Sequence, residues 1–224
     1  FLFYLSLQIL NREFSGLRLG FASALVLPMI YFIQEKKYSR FCFVYLAASL
    51  VHYVAFLSIV LIFLNRKMNP LTLLFFIITS LGLYFFGAVT YLMQYLELAG
   101  MLPEIVDRYI KTTTYAYDIG LSNIKLIIGV LLLFYFTLIT YSSKFSIGHG
   151  QEYMNLIVNA YAISLILMIL FSNYAIFAFR FSAQFASVEA IFITYFILLF
   201  RSRIIRSRTT HVLLTSRLGN SSIP

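Results

Sequence analysis

Four ionisable residues stand within or at the edges of long apolar runs in this chain: Arg18, His52, Arg180 and Glu189. At a helix centre in a bilayer such a group costs at least about 2.5–3.5 kcal/mol, so each needs a physical reason to be there. Arginine keeps its proton and offers a planar fork that binds phosphate in a bidentate way. Histidine, with an ordinary pKa near ~6.5, can exchange a proton at working pH. Together, two arginines at one face and a histidine between helices suit an anionic, lipid-linked substrate, with the arginines holding phosphate. Each also has a plainer reading. Arg18 can snorkel to headgroups from a helix end, and His52 can hydrogen-bond between helices. Arg180, at the expected hinge between two helices, can be a turn residue at the interface. Glu189 lies about 13 Å beyond Arg180 at 1.5 Å per residue, and reads as a buried acid bonded to a neighbouring helix.

A second group occupies the one long hydrophilic stretch, residues 97–125. Glu104, Asp107, Arg108, Tyr109, Lys111, Tyr115, Tyr117 and Asp118 interleave acid, base and tyrosine there. That mixture suits sugar binding by hydroxyl hydrogen bonds and ring stacking, with Arg108, Tyr109, Tyr115 and Tyr117 as candidate glycan contacts. An amphipathic helix lying on the membrane is the plainer reading of this stretch. Nucleotide-binding, zinc-hydrolase and esterase signatures (GxxxxGK[ST], HExxH, GxSxG) do not occur, nor does a Cys/His cluster. No metal and no cofactor are therefore expected.

The elements that must position these residues are membrane helices. The chain is 61% hydrophobic and 11% charged, with mean hydropathy +0.89, far from the soluble average of about 45–50% apolar and about 25% charged. Continuous apolar runs of bilayer-spanning length predict an all-α, polytopic bundle of about six to seven transmembrane helices, and exclude the alternating pattern of a β-barrel. After a short first run at 1–10, the segments fall at roughly 17–34, 41–64, 71–96, 126–143, 155–179 and 181–200. Residues 1–200 form one transmembrane domain, and 201–224 a basic tail carrying Arg201, Arg203, Arg206 and Arg208. Because the chain opens at Phe1 with neither Met nor a basic leader, it reads as the C-terminal part of a longer protein. Its single cysteine, Cys42, permits no intrachain disulfide. In this setting a net charge of +9 points to cytoplasmic loops and anionic membrane lipids, with no nucleic acid.

Charge also orients the bundle. A cytoplasmic tail puts residues 97–125 outside the cell and 65–70, with Arg66 and Lys67, inside. If 41–64 crosses once, the connector with Lys36, Lys37 and Arg40 then falls outside, against the rule. A re-entrant pair broken near His52 puts both basic connectors inside and moves Arg18 to the outer face. Non-helical backbone at that depth must be buried in protein or line a wet cavity. Both topologies remain open at this level.

The run "LRLGFASALVL" followed by "YLAASLVHYVAFLSIVLIFL" resembles the EpsG-type branch of the Wzy polysaccharide polymerases. The likeness is carried by Arg18, Ala22, the Lys36–Lys37 connector, Ala47–Ala48–Ser49 and His52. Downstream, "DRYIKTTTYAY" resembles the family's tyrosine-containing outer loop. "FAFRFSAQFASVEAIF", with Arg180 and Phe185, resembles its arginine-led penultimate motif. The resemblance implies a GT-C-like glycosyltransferase in the bacterial cytoplasmic (inner) membrane. Its expected substrate is a lipid-linked oligosaccharide, and its expected reaction moves a glycan from undecaprenyl pyrophosphate to a sugar hydroxyl. In such a scheme Arg18 and Arg180 bind the pyrophosphate, His52 is the base for the acceptor hydroxyl with Glu104 and Asp107 as rival bases, and a chain-length regulator is a natural partner. A lipid-linked glycan flippase and a membrane-bound acyltransferase are the rival classes. The sequence shows neither the inverted repeats nor the matched helix breaks usual in transporters.

Overall fold

A computed structural model describes residues 16–101, 123–142 and 150–197, with side chains described within 16–101, 123–138 and 153–197. All regular structure among these residues is helical. Helix α1 spans Gly16–Gln34. Pro28, lacking an N–H, cannot bond the carbonyl one turn back, and the helix loosens there, with a turn at Leu25. Helix α2 (Tyr38–Val51) is followed by a 3-10 helix, η1 (Tyr53–Ile62). Next come α3 (Pro70–Phe85) and α4 (Ala88–Leu98), α5 (Ile124–Ser142) and α6 (Gly150–Leu170). The described chain ends with α7 (Ala175–Ala186) and α8 (Glu189–Ile197).

Helix α6 is the hub, packing against α1, α3, α5 and α7. Two-thirds of its apolar window (67%) is buried inside the protein, against 33% for α1, as expected of a helix apolar on all sides. Large apolar side chains such as Phe43, Leu50, Phe86 and Leu98 cover the outside. An exposed apolar surface of that extent fits lipid and not water. The chain is a helical membrane protein.

Three breaks depart from the expected segments. The 41–64 run is not one crossing helix. At His52 the backbone is extended (φ −151°, ψ 125°), and the chain turns back on itself. The Tyr45 hydroxyl donates to the Phe56 carbonyl at 3.4 Å, and the two rings lie 6.1 Å apart. In a continuous helix these residues would be about 16 Å apart. The two arms of the hairpin therefore lie side by side. Asn159 of α6 donates to the carbonyls of Leu64 and Arg66 at 2.7 and 2.6 Å. Tyr153 donates to Glu35 at 2.8 Å on the other connector, and this bond, with Lys37, holds the Glu35 carboxyl below its usual range. Both basic connectors are thus held along the first half of α6.

The hairpin arms are matched in length. Fourteen residues of α2 at 1.5 Å rise and ten of η1 at about 2.0 Å rise both give about 20 Å. Burial in η1 follows the threefold period of a 3-10 helix. Ala55, Ser58 and Leu61 form the buried row, and Tyr53, Phe56 and Ile59 the exposed one. Small residues on the inner row, with Ala48 on α2, let the backbones approach closely.

The second break splits 71–96 into α3 and α4, bent by 56° at Gly87, whose left-handed backbone (φ 66°) suits glycine. The third moves the 155–179/181–200 boundary. α6 ends at Leu170, and Arg180 lies inside α7 and not at a hinge. The α7–α8 pair is bent by 56°. These breaks shorten the helices. Among the described residues two are long and apolar enough to span a membrane, or four if each bent pair counts as one span, where six to seven were expected.

Candidate functional site

Each of the three candidate residues in the apolar runs is placed by a different element. Arg18 lies near the start of α1, about 24 Å along the helix from Gln34, at the end away from the basic connectors. His52 is the hairpin tip. Its N–H donates to the Ala48 carbonyl at 2.9 Å and its carbonyl accepts from Ala55 N–H at 3.0 Å, closing α2 and opening η1. Its Nδ1 accepts from the Val54 N–H at 3.2 Å, so the ring caps η1. Arg180 stands in the second turn of α7. All three line one cavity of about 1010 Å³, at the upper end of the range for small-molecule sites. His52 feels the positive charge of both Arg180 and Arg18, which makes the three electrostatic neighbours.

One turn along α7 from Arg180, Gln184 is fully buried. Its Nε2 donates to the Ser58 hydroxyl at 2.8 Å and to the Ala22 carbonyl at 3.4 Å. Ala22 is itself one turn from Arg18, so this amide ties α7, α1 and η1 together beneath the two arginines. Sequence reading passed over Gln184. Its signal was a polar residue four places from Arg180, on the same helix face.

Lys125, also in the cavity lining, was missed as well. Glu189 is buried, and its Oε2 pairs with Lys125 Nζ at 3.3 Å. Both residues line the cavity, as do Tyr161 and Ser164 of α6. The expectation of a buried Glu189 contacting a neighbouring helix is met, with Lys125 of α5 as partner. Lys125 had been read only as the end of the hydrophilic stretch. Glu104, Asp107, Arg108, Tyr109, Tyr115 and Tyr117 lie outside the described residues, as does the tail 201–224. No group of three or more potential metal ligands occurs among the described residues.

The sequence model of the EpsG family matches residues 1–216. The chain belongs to the EpsG family. Membership supports a polysaccharide-related role for this helical membrane protein, and the resemblance carried by Arg18, His52 and Arg180 is to that same family. No curated protein and no solved structure matches the EpsG-family chain.

Proposed function

We propose that this EpsG-family protein is a membrane glycosyltransferase that polymerises oligosaccharide repeat units carried on undecaprenyl pyrophosphate. The observation that carries the reading is the single cavity shared by Arg18, His52 and Arg180. Departure of a lipid pyrophosphate needs positive charge aimed at phosphate oxygens as they gain charge. Two arginines supply it without exchanging a proton. With Nδ1 engaged by Val54, a neutral His52 ring carries its hydrogen on Nε2, which suits a donor to phosphate. The pyrophosphate linkage supplies the driving energy, so no nucleotide is needed.

The orientation follows from the hairpin. With both basic connectors cytoplasmic, Arg18 and the hairpin tip lie toward the outer half of the bacterial cytoplasmic membrane, where a GT-C-like enzyme meets its lipid-linked oligosaccharide. Residues 97–125 then lie outside, where Arg108, Tyr109, Tyr115 and Tyr117 contact the glycan and Glu104 and Asp107 are further acids. A chain-length regulator is the expected protein partner. The two pairs of helices bent by the same 56° favour a second reading, a flippase for the same lipid-linked glycan, since broken helices are common in transporters.

Cells lacking the protein separate the two. Single repeat units accumulating on lipid at the outer leaflet indicate polymerisation, and units trapped at the inner leaflet indicate a flippase. Normal polymer with neither accumulation sinks both.

A further inference from the structure

Transfer of a glycan also needs a group to take the proton of the attacking hydroxyl, and a His52 with Nδ1 committed to the Val54 N–H presents only a donor. We infer that Glu189 is the catalytic base, at an acceptor-sugar subsite formed with Lys125, Tyr161 and Ser164; the inference rests on the glycosyl-transfer reading above.

Four observations lead there. Glu189 lines the same cavity as the arginines, so its carboxylate has access to a ligand held by them. It is 5% exposed, a costly place for a charge unless it is paired or used. The Lys125 ammonium lies 3.3 Å from one carboxylate oxygen. A carboxylate has two oxygens and about four lone-pair sites, so an ion pair of this kind is compatible with a hydrogen bond from a ligand. Finally, Tyr161 and Ser164, which carry hydroxyls, line the same cavity. Hydroxyl, ammonium and carboxylate form the donor–acceptor mixture that sugar hydroxyls need.

The separation along the chain is suitable. From Arg180 to Glu189 is at most about 13 Å along α7–α8. A pyrophosphate at the arginine end and an acceptor sugar at the Glu189 end leave the donor's anomeric carbon between them. The acceptor oxygen forms a bond to that carbon as the carbon–oxygen bond to phosphate breaks. The bonding pair leaves with the pyrophosphate toward Arg18 and Arg180, and the hydroxyl proton passes to Glu189. Attack from the side opposite the leaving group makes this a single displacement with inversion at the anomeric carbon.

The test uses the full chain in cells, followed by purified protein in lipid nanodiscs with undecaprenyl pyrophosphate as probe. Glu189→Gln keeps the side chain's shape and should lower polymer formation about 10²–10⁴-fold while leaving carrier binding within threefold. Glu189→Asp should recover part of the activity. The double variant Glu189→Gln/Lys125→Gln removes both charges and should stay inactive. Polymer at the unsubstituted level in Glu189→Gln, or restored in the double variant, overturns the inference and leaves only a structural ion pair. Retained anomeric configuration across the new linkage overturns it as well. The underlying reading fails separately, and Glu189's role with it, if the unsubstituted protein does not bind undecaprenyl pyrophosphate.

Discussion

Gln34 donates a 2.7 Å side-chain hydrogen bond to Asn65, 31 residues later in the chain. Gln34 ends α1 and Asn65 follows η1, so everything between them leaves and returns to one end of the bundle. A single crossing over 41–64 would hold these residues a bilayer thickness apart, about 30 Å. The pair fixes the geometry of the hairpin, and two positions near it with one at the far end of α1 give a chemical test.

In a Cys42→Ala background, cysteines placed at Ser39 and at Lys67 should both be hidden from an impermeant reagent outside the cell and react after permeabilisation. A cysteine at Leu17, 70% exposed and at the other end of α1, should react from outside. Opposite labelling of Ser39 and Lys67 would contradict the hairpin.

Arg180→Lys keeps the charge but loses the planar fork. Polymer yield should fall about tenfold in Arg180→Lys, and about 10²–10³-fold in Arg180→Ala, the usual cost of removing a donor to developing charge. Chain-length profiles at equal protein level decide this. An unchanged profile in Arg180→Ala removes the phosphate role.

His52 combines capping with a place in the cavity, and two variants separate them. Asn can still accept the Val54 N–H through its own side chain but lacks the imidazole. His52→Asn should melt close to the unsubstituted protein while losing polymer formation. His52→Ala should lose both, with about 0.5–2 kcal/mol of stability gone with the cap. An active, stable His52→Ala would leave the residue without either role.

Gln184→Leu fills similar volume but leaves the Ser58 hydroxyl and the Ala22 carbonyl without their amide partner. A loss of about 1–3 kcal/mol is expected, read by thermal unfolding in detergent. Adding Ser58→Ala should then cost little more, because the pair acts as a unit. Full additivity of the two would rule out the coupling.

Gly129 lies where α5 meets α6. A methyl there would sit 2.8 Å from the Tyr161 hydroxyl and 2.9 Å from Leu165 Cδ2. Gly129→Ala should destabilise by about 1–3 kcal/mol through overpacking and displace Tyr161, which is stacked on Phe192 at 4.5 Å. Tyr161→Phe in that background removes the closest clash, so the melting temperature should partly recover. No recovery would place the strain at Leu165 instead.

Much of this was legible in the sequence because lipid imposes a simple code. Apolar runs gave the helices, and the basic residues at 36–40 and 66–67 posed the question that the Gln34–Asn65 bond answers. Arg18, His52 and Arg180 stood out because charge is expensive in hydrocarbon. Helix breaks were harder. At Gly87 and after Ala186 the chain bends without leaving apolar composition, so hydropathy runs straight through. The threefold spacing of Tyr53, Phe56 and Ile59 was visible, but a ten-residue 3-10 helix is rare enough that no reading by common periods would choose it. Gln184, and Lys125 as the partner of Glu189, escaped for another reason: the residues they meet are distant in sequence, and only folding brings them together.

The winding of η1 has its own consequence. Ten residues at 3-10 pitch reach about 20 Å, and the same ten at α pitch would reach about 15 Å. The fourteen residues of α2 carry the tip about 20 Å from the base, and Asn159 and the Gln34–Asn65 bond hold the returning chain at that base. Only the longer winding lets ten residues cover the distance back. The hydrogen-bonding register of one short helix thus sets whether the returning arm is long enough to close the hairpin.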